Sequence, residues 1–346
     1  MNNKELSKLR FWDTLDAALM ENRYSGERRE SLYPSEASTV YIDPKTKKAS
    51  VVGGCTRKSW YRLMKFKESD PPTVKSEYIF EMGRTIERMI TELSKLSGIY
   101  DNNSVKFWDR SSSVSGEIDI TLKHYVNDEK KYVFVECKST WGGQLRNGFE
   151  SGKAKFLFDH YEGRGKTKTF IKGKPKYEHV LQLVTYLFTH KDDPDLLGGK
   201  LVYLLRDNMN RTEFDVVLVE TDKGHRVMVN GILDGGFYVE NIYERYAALA
   251  NKVNEDIKLM RAGIKKEELI PPVRDYSLEY TDEEIEEMYK NKEISTMKYN
   301  NWKAGKTKLG DWNCSYCSMK SLCYNKQQSS LVPAEVEEEE ELVEED

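Results

Sequence analysis

Two carboxylates and one amine lie close enough along this chain to build a metal site. The stretch Gly116-Glu117-Ile118-Asp119-Ile120-Thr121-Leu122 alternates in polarity, as does Tyr132-Val133-Phe134-Val135-Glu136-Cys137-Lys138. With the two-residue period of a β-strand, Asp119 shares a face with Glu117 and Thr121, while Ile118, Ile120 and Leu122 point the other way. In the second stretch Glu136 and Lys138 share one face, and Val133, Val135 and Cys137 the other. Asn127-Asp128 suits a tight turn, and an antiparallel hairpin folded there sets Asp119 roughly opposite Glu136. Two hard oxygen donors beside an ammonium are what a divalent cation and an activated water require.

The elements around this hairpin must hold it in place. Residues 75–97 read as a helix whose buried stripe is Ile79, Met82, Ile86, Ile90 and Leu93. Glu87 lies at the border of that stripe and needs a partner there: Arg84, Arg88 or a metal. A plain surface salt bridge is the alternative. Residues 177–189 form a helix that is apolar nearly all round, through Val180, Leu181, Leu183, Val184, Leu187 and Phe188. Gln182 and Tyr186 sit one turn apart on it, and a glutamine so placed must find hydrogen-bond partners. Strands are expected near 104–108, 200–205 and 213–219, and helices over 225–260 and 281–291. Together these elements predict an α/β core. Upstream, residues 1–24 suggest an amphipathic helix and 25–50 an extended arm. A basic, aromatic helix then runs from Cys55 to about Phe66, and Pro71-Pro72 ends it. Between Trp141 and Glu178 there are nine Lys/Arg against four Asp/Glu, with glycines and aromatics interleaved. Such a stretch reads as a loop able to grip phosphates, or as an ordinary solvated insertion.

The 346 residues are 38% hydrophobic and 32% charged, a soluble globular composition with ample length for a core. No stretch is long and apolar enough to span a bilayer, and none reads as a signal peptide, so the cytoplasm is the expected location. Residues 335–346 carry nine acidic and no basic side chains, which turns a net charge of −4 into +5 for the rest of the chain. A mildly basic body is compatible with a nucleic-acid partner. Five cysteines in such a chain argue against a disulfide framework. Three form Cys314-x2-Cys317-x5-Cys323, and a fourth, Cys55, lies far upstream. Four thiolates suit zinc or an iron–sulfur cluster alike, and the spacing does not separate them. Cys137 reads as a small buried apolar residue. The histidines His124, His160, His179, His190 and His225 show no metal-ligand spacing; His179 precedes Gln182 by three. There is no Walker A sequence, so any helicase activity would come from a partner.

Gly83-x3-Glu87, Gly116-x2-Asp119, Glu136-x-Lys138 and Gln182-x3-Tyr186 follow one another on helix, strand, strand and helix. That order resembles the PD-(D/E)XK nuclease superfamily, in particular its RecB-like branch. The cysteines resemble those of the branch's iron–sulfur members, which include the AddB nuclease domain and CRISPR-associated RecB-like nucleases. The resemblance covers roughly residues 52–325. It implies a restriction-endonuclease-like α/β core, a central mixed β-sheet flanked by helices, with an iron–sulfur-stapled helical part. The domains would be an N-terminal helix and arm (1–50), a nuclease domain (51–327, with the basic insertion 141–178) and a disordered acidic tail (328–346).

The resemblance further implies a [4Fe–4S] cluster on Cys55, Cys314, Cys317 and Cys323, with zinc as the alternative. It places Mg²⁺ or Mn²⁺ on Asp119 and Glu136, helped by Glu87 and the backbone carbonyl of Cys137. Lys138 would orient or deprotonate water or stabilise developing charge, and Gln182 and Tyr186 would position the substrate backbone or the water. The activity implied is metal-dependent DNA hydrolysis, as an exonuclease on single strands or DNA ends, in repair, recombination, phage or CRISPR-type DNA processing. A helicase or other DNA-processing protein would be a partner, with no membrane involved. Polarity, endo- against exonuclease action, RNA cleavage and oligomeric state stay open. Competing readings are an inactive DNA-binding or assembly module that keeps the fold, and a zinc-stabilised interaction protein. Two departures from the family stand out: Glu87 where many members have histidine, and the length of the basic insertion.

Overall fold

A computed structural model describes residues 11–21, 30–142, 157–162 and 168–324. Its helices are α1 (Phe11–Glu21), α2 (Thr56–Leu63), α3 (Val74–Leu96), α4 (Tyr177–Thr189), α5 (Glu240–Arg261), α6 (Asp282–Lys290), α7 (Thr296–Lys303), α8 (Trp312–Ser315) and α9 (Lys320–Tyr324). Its strands are β1 (Ser38–Ile42), β2 (Ala49–Gly53), β3 (Tyr100–Asp109), β4 (Val114–Val126), β5 (Glu129–Thr140), β6 (His160–Glu162), β7 (Thr169–Ile171), β8 (Leu196–Leu205), β9 (Arg211–Thr221), β10 (Gly224–Val229) and β11 (Ile232–Leu233). No helix among the described residues is long and apolar enough to cross a membrane.

The chain divides into two compact units, residues 1–54 with 72–254 and residues 55–71 with 255–346. The expected boundary at residue 50 therefore falls inside β2 rather than between units. The expected acidic tail lies outside the described residues, as do the start of the N-terminal helix and much of the basic insertion.

The first unit is α/β, with a central seven-stranded mixed sheet in the order β11-β10-β9-β8-β5-β4-β3. β5 and β8 run parallel and every other pair antiparallel. The parallel pair needs a crossover, and α4 lies within it. Ile118, Ile120, Phe134, Leu201, Val216 and Val227 form the buried middle of the sheet; of α4, Leu183 lies against Gly199 of β8 and Leu181 against Gly53 of β2. The β4–β5 hairpin turns where expected: Asn127 and Asp128 have φ of 50° and 66°, which fits a type I′ connection. Its strands run several residues beyond the expected limits because alternation continues through Tyr125 and Lys130.

Two expectations change. Residues 224–229 are β10 and not the start of a helix, because Asn230 and Gly231 (φ 46° and 79°) turn the chain into β11; α5 begins only at Glu240. On α3 the stripe is mostly uncovered: Ile86 is buried, but Ile79, Met82 and Leu93 are 40%, 48% and 57% exposed. The helix itself starts as its sequence dictates, the Thr73 side chain accepting from the Ser76 N–H at 3.3 Å.

The second unit is helical. Trp60, Tyr61 and Phe66 form a buried aromatic cluster with ring centroids 5.1–5.5 Å apart. The Trp60 indole N–H donates to buried Asp256 at 2.8 Å.

Candidate active site

Past Ile120 and Val135 the β4–β5 ladder stops, and one more step of the same register would bring Asp119 to Glu136. There the Cys137 backbone N–H donates to Asp119 Oδ2 at 2.8 Å instead of to a neighbouring carbonyl. The carboxylate thus takes a ladder hydrogen bond, and the strands open around it.

Glu136 is 1% exposed. Its Oε1 accepts from the Lys138 ammonium in a short charge-assisted contact, and its Oε2 has no hydrogen-bond partner among the described residues. Burial, with the Asp119 charge second, lifts the Glu136 carboxyl to about 8. Burial followed by the Asp119 charge lifts Glu87, on α3, to about 7. Burial also raises Asp119, against the pull of Lys138 and the Cys137 N–H. Burial alone would pull Lys138 down, but Glu136 and Asp119 outweigh it and its pKa is raised. Three carboxyls therefore crowd one ammonium, and Glu117 adds repulsion to Asp119 and Glu87. Among the described residues Arg84 and Arg88 pair with Glu81 rather than with Glu87, on which Arg88 exerts only a weaker pull.

A relay from α4 fixes the lysine. Lys138 Nζ donates to Gln182 Oε1 at 2.9 Å, Gln182 Nε2 donates to Tyr186 Oη at 3.3 Å, and Tyr186 donates to the Glu117 carbonyl at 3.1 Å. Each buried polar group in this chain is satisfied. Gln182 thus braces Lys138 directly, and Tyr186 braces Gln182. Gly116 has a packing role in the same place: a Cβ there would lie 2.7 Å from Phe107 and 2.9 Å from Tyr186. A Cβ at Gly83 would meet only Ser139 Oγ at 3.6 Å, an ordinary contact.

Among the described residues no three His, Cys, Asp or Glu side chains stand in ion-binding geometry. The donor chemistry nevertheless fits a hard dication: an orphaned, buried carboxylate oxygen and two further carboxyls whose charged forms burial disfavours more than their neighbours favour. Cys137 is half-buried rather than part of the core proper, and desolvation, followed by the Asp119 and Glu136 charges, pushes its thiol far up, which keeps it inert.

All four remaining cysteines belong to the second unit and line one cavity, with Arg57, Lys58, Tyr61, Arg274 and Tyr324. No disulfide joins them. Cys55 caps the N-terminus of α2, where the backbone N–H groups of Arg57 and Lys58 oppose the rise that burial imposes on its thiol. The Met319 N–H donates to Cys317 Sγ at 3.4 Å, and Tyr324 Oη lies 3.6 Å from Cys314 Sγ. The Arg274 and Arg57 guanidiniums approach Cys323 Sγ at 3.4 and 3.8 Å. Burial keeps Cys314 protonated up to about 11. The Met319 N–H at Cys317 and the two guanidiniums at Cys323 are donors that suit a group requiring thiolates.

One arrangement was only partly legible in the sequence. His179 sits one turn before Gln182, with Nδ1 2.8 Å from the hydroxyl of Tyr203 on β8. The i, i+3, i+7 spacing of residues 179, 182 and 186 was the available signal.

No protein-family model matches the chain, and no curated protein matches it. Among solved structures, the crystal structure of SSO0001 is similar over 91% of this chain and 96% of that one, with 12% identity and a TM-score of 0.37. A likeness of that size assigns neither fold nor activity.

Proposed function

We propose that the chain is a divalent-metal-dependent nuclease with a restriction-endonuclease-like core, hydrolysing phosphodiester bonds of DNA, single strands or ends being the substrate. The carrying observation is the orphaned Oε2 of buried Glu136 beside two further carboxyls, Asp119 and Glu87, and one ammonium. Asp119, Glu136 and Glu87 would hold Mg²⁺ or Mn²⁺. Such an ion supplies charge neutralisation on phosphate and a more acidic water. Lys138, with its pKa raised, keeps its proton at neutral pH and acts as a donor to developing negative charge rather than as a base. Gln182 and Tyr186 hold that ammonium in one place. The order of the four motifs supports the same reading.

The four cysteines would hold a structural [4Fe–4S] cluster, with zinc as the alternative occupant; the donors around their sulfurs support an anionic group.

The test is incubation of purified protein with end-labelled single strands in Mn²⁺, Mg²⁺ or chelator. Metal-dependent shortening that Asp119→Ala and Lys138→Ala each abolish, with strand binding kept, is the expected result. Binding without cleavage under any metal would overturn the nuclease reading and leave a DNA-binding module.

A further inference from the structure

The Tyr203 hydroxyl settles the proton position of His179. Tyr203 is 1% exposed, and its oxygen accepts the Lys176 backbone N–H at 3.2 Å. Its own proton must still find an acceptor in a buried setting. Nδ1 of His179, 2.8 Å away, can serve. An Nδ1 that accepts cannot carry hydrogen, so a neutral His179 bears its proton on Nε2. Burial first, then the Lys138 and Lys176 charges, disfavour the imidazolium, so the ring stays neutral. Tyr203 pairs with Lys138 in the β5–β8 register. His179 therefore continues the Gln182–Tyr186 row of α4 by one turn, beside the lysine.

We propose that His179 is a substrate contact, its Nε2–H donating to a non-bridging phosphate oxygen of the nucleic-acid strand next to the one Lys138 serves. This rests on the nuclease reading for its substrate class. A neutral donor at that point adds a directional hydrogen bond without adding a second cation to repel the metal. The ring is held for the task by the Tyr203 hydroxyl, which leaves Nε2–H as a donor without a partner among the described residues.

Glutamine places an amide near the Nε2 position and asparagine near Nδ1, so the two substitutions separate the roles. Binding of a fluorescent single-stranded oligonucleotide is measured by anisotropy with Ca²⁺ in place of the catalytic metal, and cleavage with Mn²⁺. His179→Asn should weaken binding and slow cleavage about tenfold, the worth of one hydrogen bond to a charged group. His179→Gln should stay within about threefold of wild type, with both variants melting like the parent. Equal losses in both variants, or none in His179→Asn, would overturn the proposal. Should either variant misfold, imidazole ¹⁵N spectra of the wild-type protein decide the matter. Nε2 should be protonated before strand is added and should shift on its addition; an Nδ1-protonated ring, or an unmoved Nε2, overturns the assignment. A wild-type protein that binds strands through His179 but never cleaves would sink the nuclease reading and leave the phosphate contact standing.

Discussion

Lys138 donates to Gln182, 44 positions further along the chain, at 2.9 Å. Position, more than charge alone, is what this contact gives the ammonium. Gln182→Ala frees Lys138 to follow Glu136 and should lower the cleavage rate about a hundredfold, the scale of a misplacement near 1 Å. Strand binding in Ca²⁺ should change little. Single-turnover kinetics checks this; an unchanged rate would show that Glu136 alone suffices to place the lysine.

Metal-free protein should lose stability as pH rises. Glu136 goes from 4.5 to about 8 on folding and Glu87 to about 7, both chiefly through burial. A carboxyl raised in this way stabilises the fold below its unfolded pKa and loses that contribution as pH passes its folded value. The lowered pKa of His179 acts oppositely, but only below about 6.5. In chelator the melting temperature should therefore fall between pH 6.5 and 9. Added Mg²⁺ should raise it more at pH 9, where it displaces no protons. A melting temperature that climbs with pH in chelator would contradict the burial of these carboxyls.

The two motif glycines should behave differently. Gly116→Ala pushes a methyl against Phe107 and Tyr186 and should cost about 1–3 kcal/mol by overpacking. Gly83→Ala makes only an ordinary contact with Ser139 Oγ, inside α3, and should stabilise by roughly 0.5–1 kcal/mol through helix propensity. Urea unfolding of the pair measures both signs.

How far the sequence reached follows from local and long-range terms. The β4–β5 hairpin was legible because alternation and the Asn127-Asp128 turn are local and agree with each other. β10 was misread because Val227, Met228 and Val229 carry no decisive period without the Asn230-Gly231 turn beside them. The stripe of α3 has helical spacing, yet spacing cannot say what covers Ile79 or Leu93. Gln182 was expected to have partners, but that Lys138 is one of them depends on how α4 packs on the sheet. The raised pKa values of Glu87 and Glu136 likewise come from burial, which no spacing encodes.

The cysteine cavity makes a compositional prediction. Protein purified without oxygen should contain iron and acid-labile sulfide, and Cys317→Ser should lower both together with the melting temperature. Stoichiometric zinc in a colourless preparation would reassign the occupant. Arg274→Gln removes a donor to Cys323 and should make the bound group easier to strip with chelator.

Trp60→Phe keeps the aromatic ring but deletes the N–H that Asp256 accepts, and should cost about 1.5–3 kcal/mol, the range for hydrogen bonds to charged groups. Chemical denaturation followed by circular dichroism reads the loss.

That same contact sets a waiting time. Trp60 is translated 196 residues before Asp256, which at about 5–20 residues per second is roughly 10–40 s on the ribosome. Throughout that interval Trp60, Tyr61 and Phe66 have none of the later half of their own unit to pack against. A nascent chain halted before residue 255 should present this aromatic segment to chaperones, and release of full-length chain should end that association.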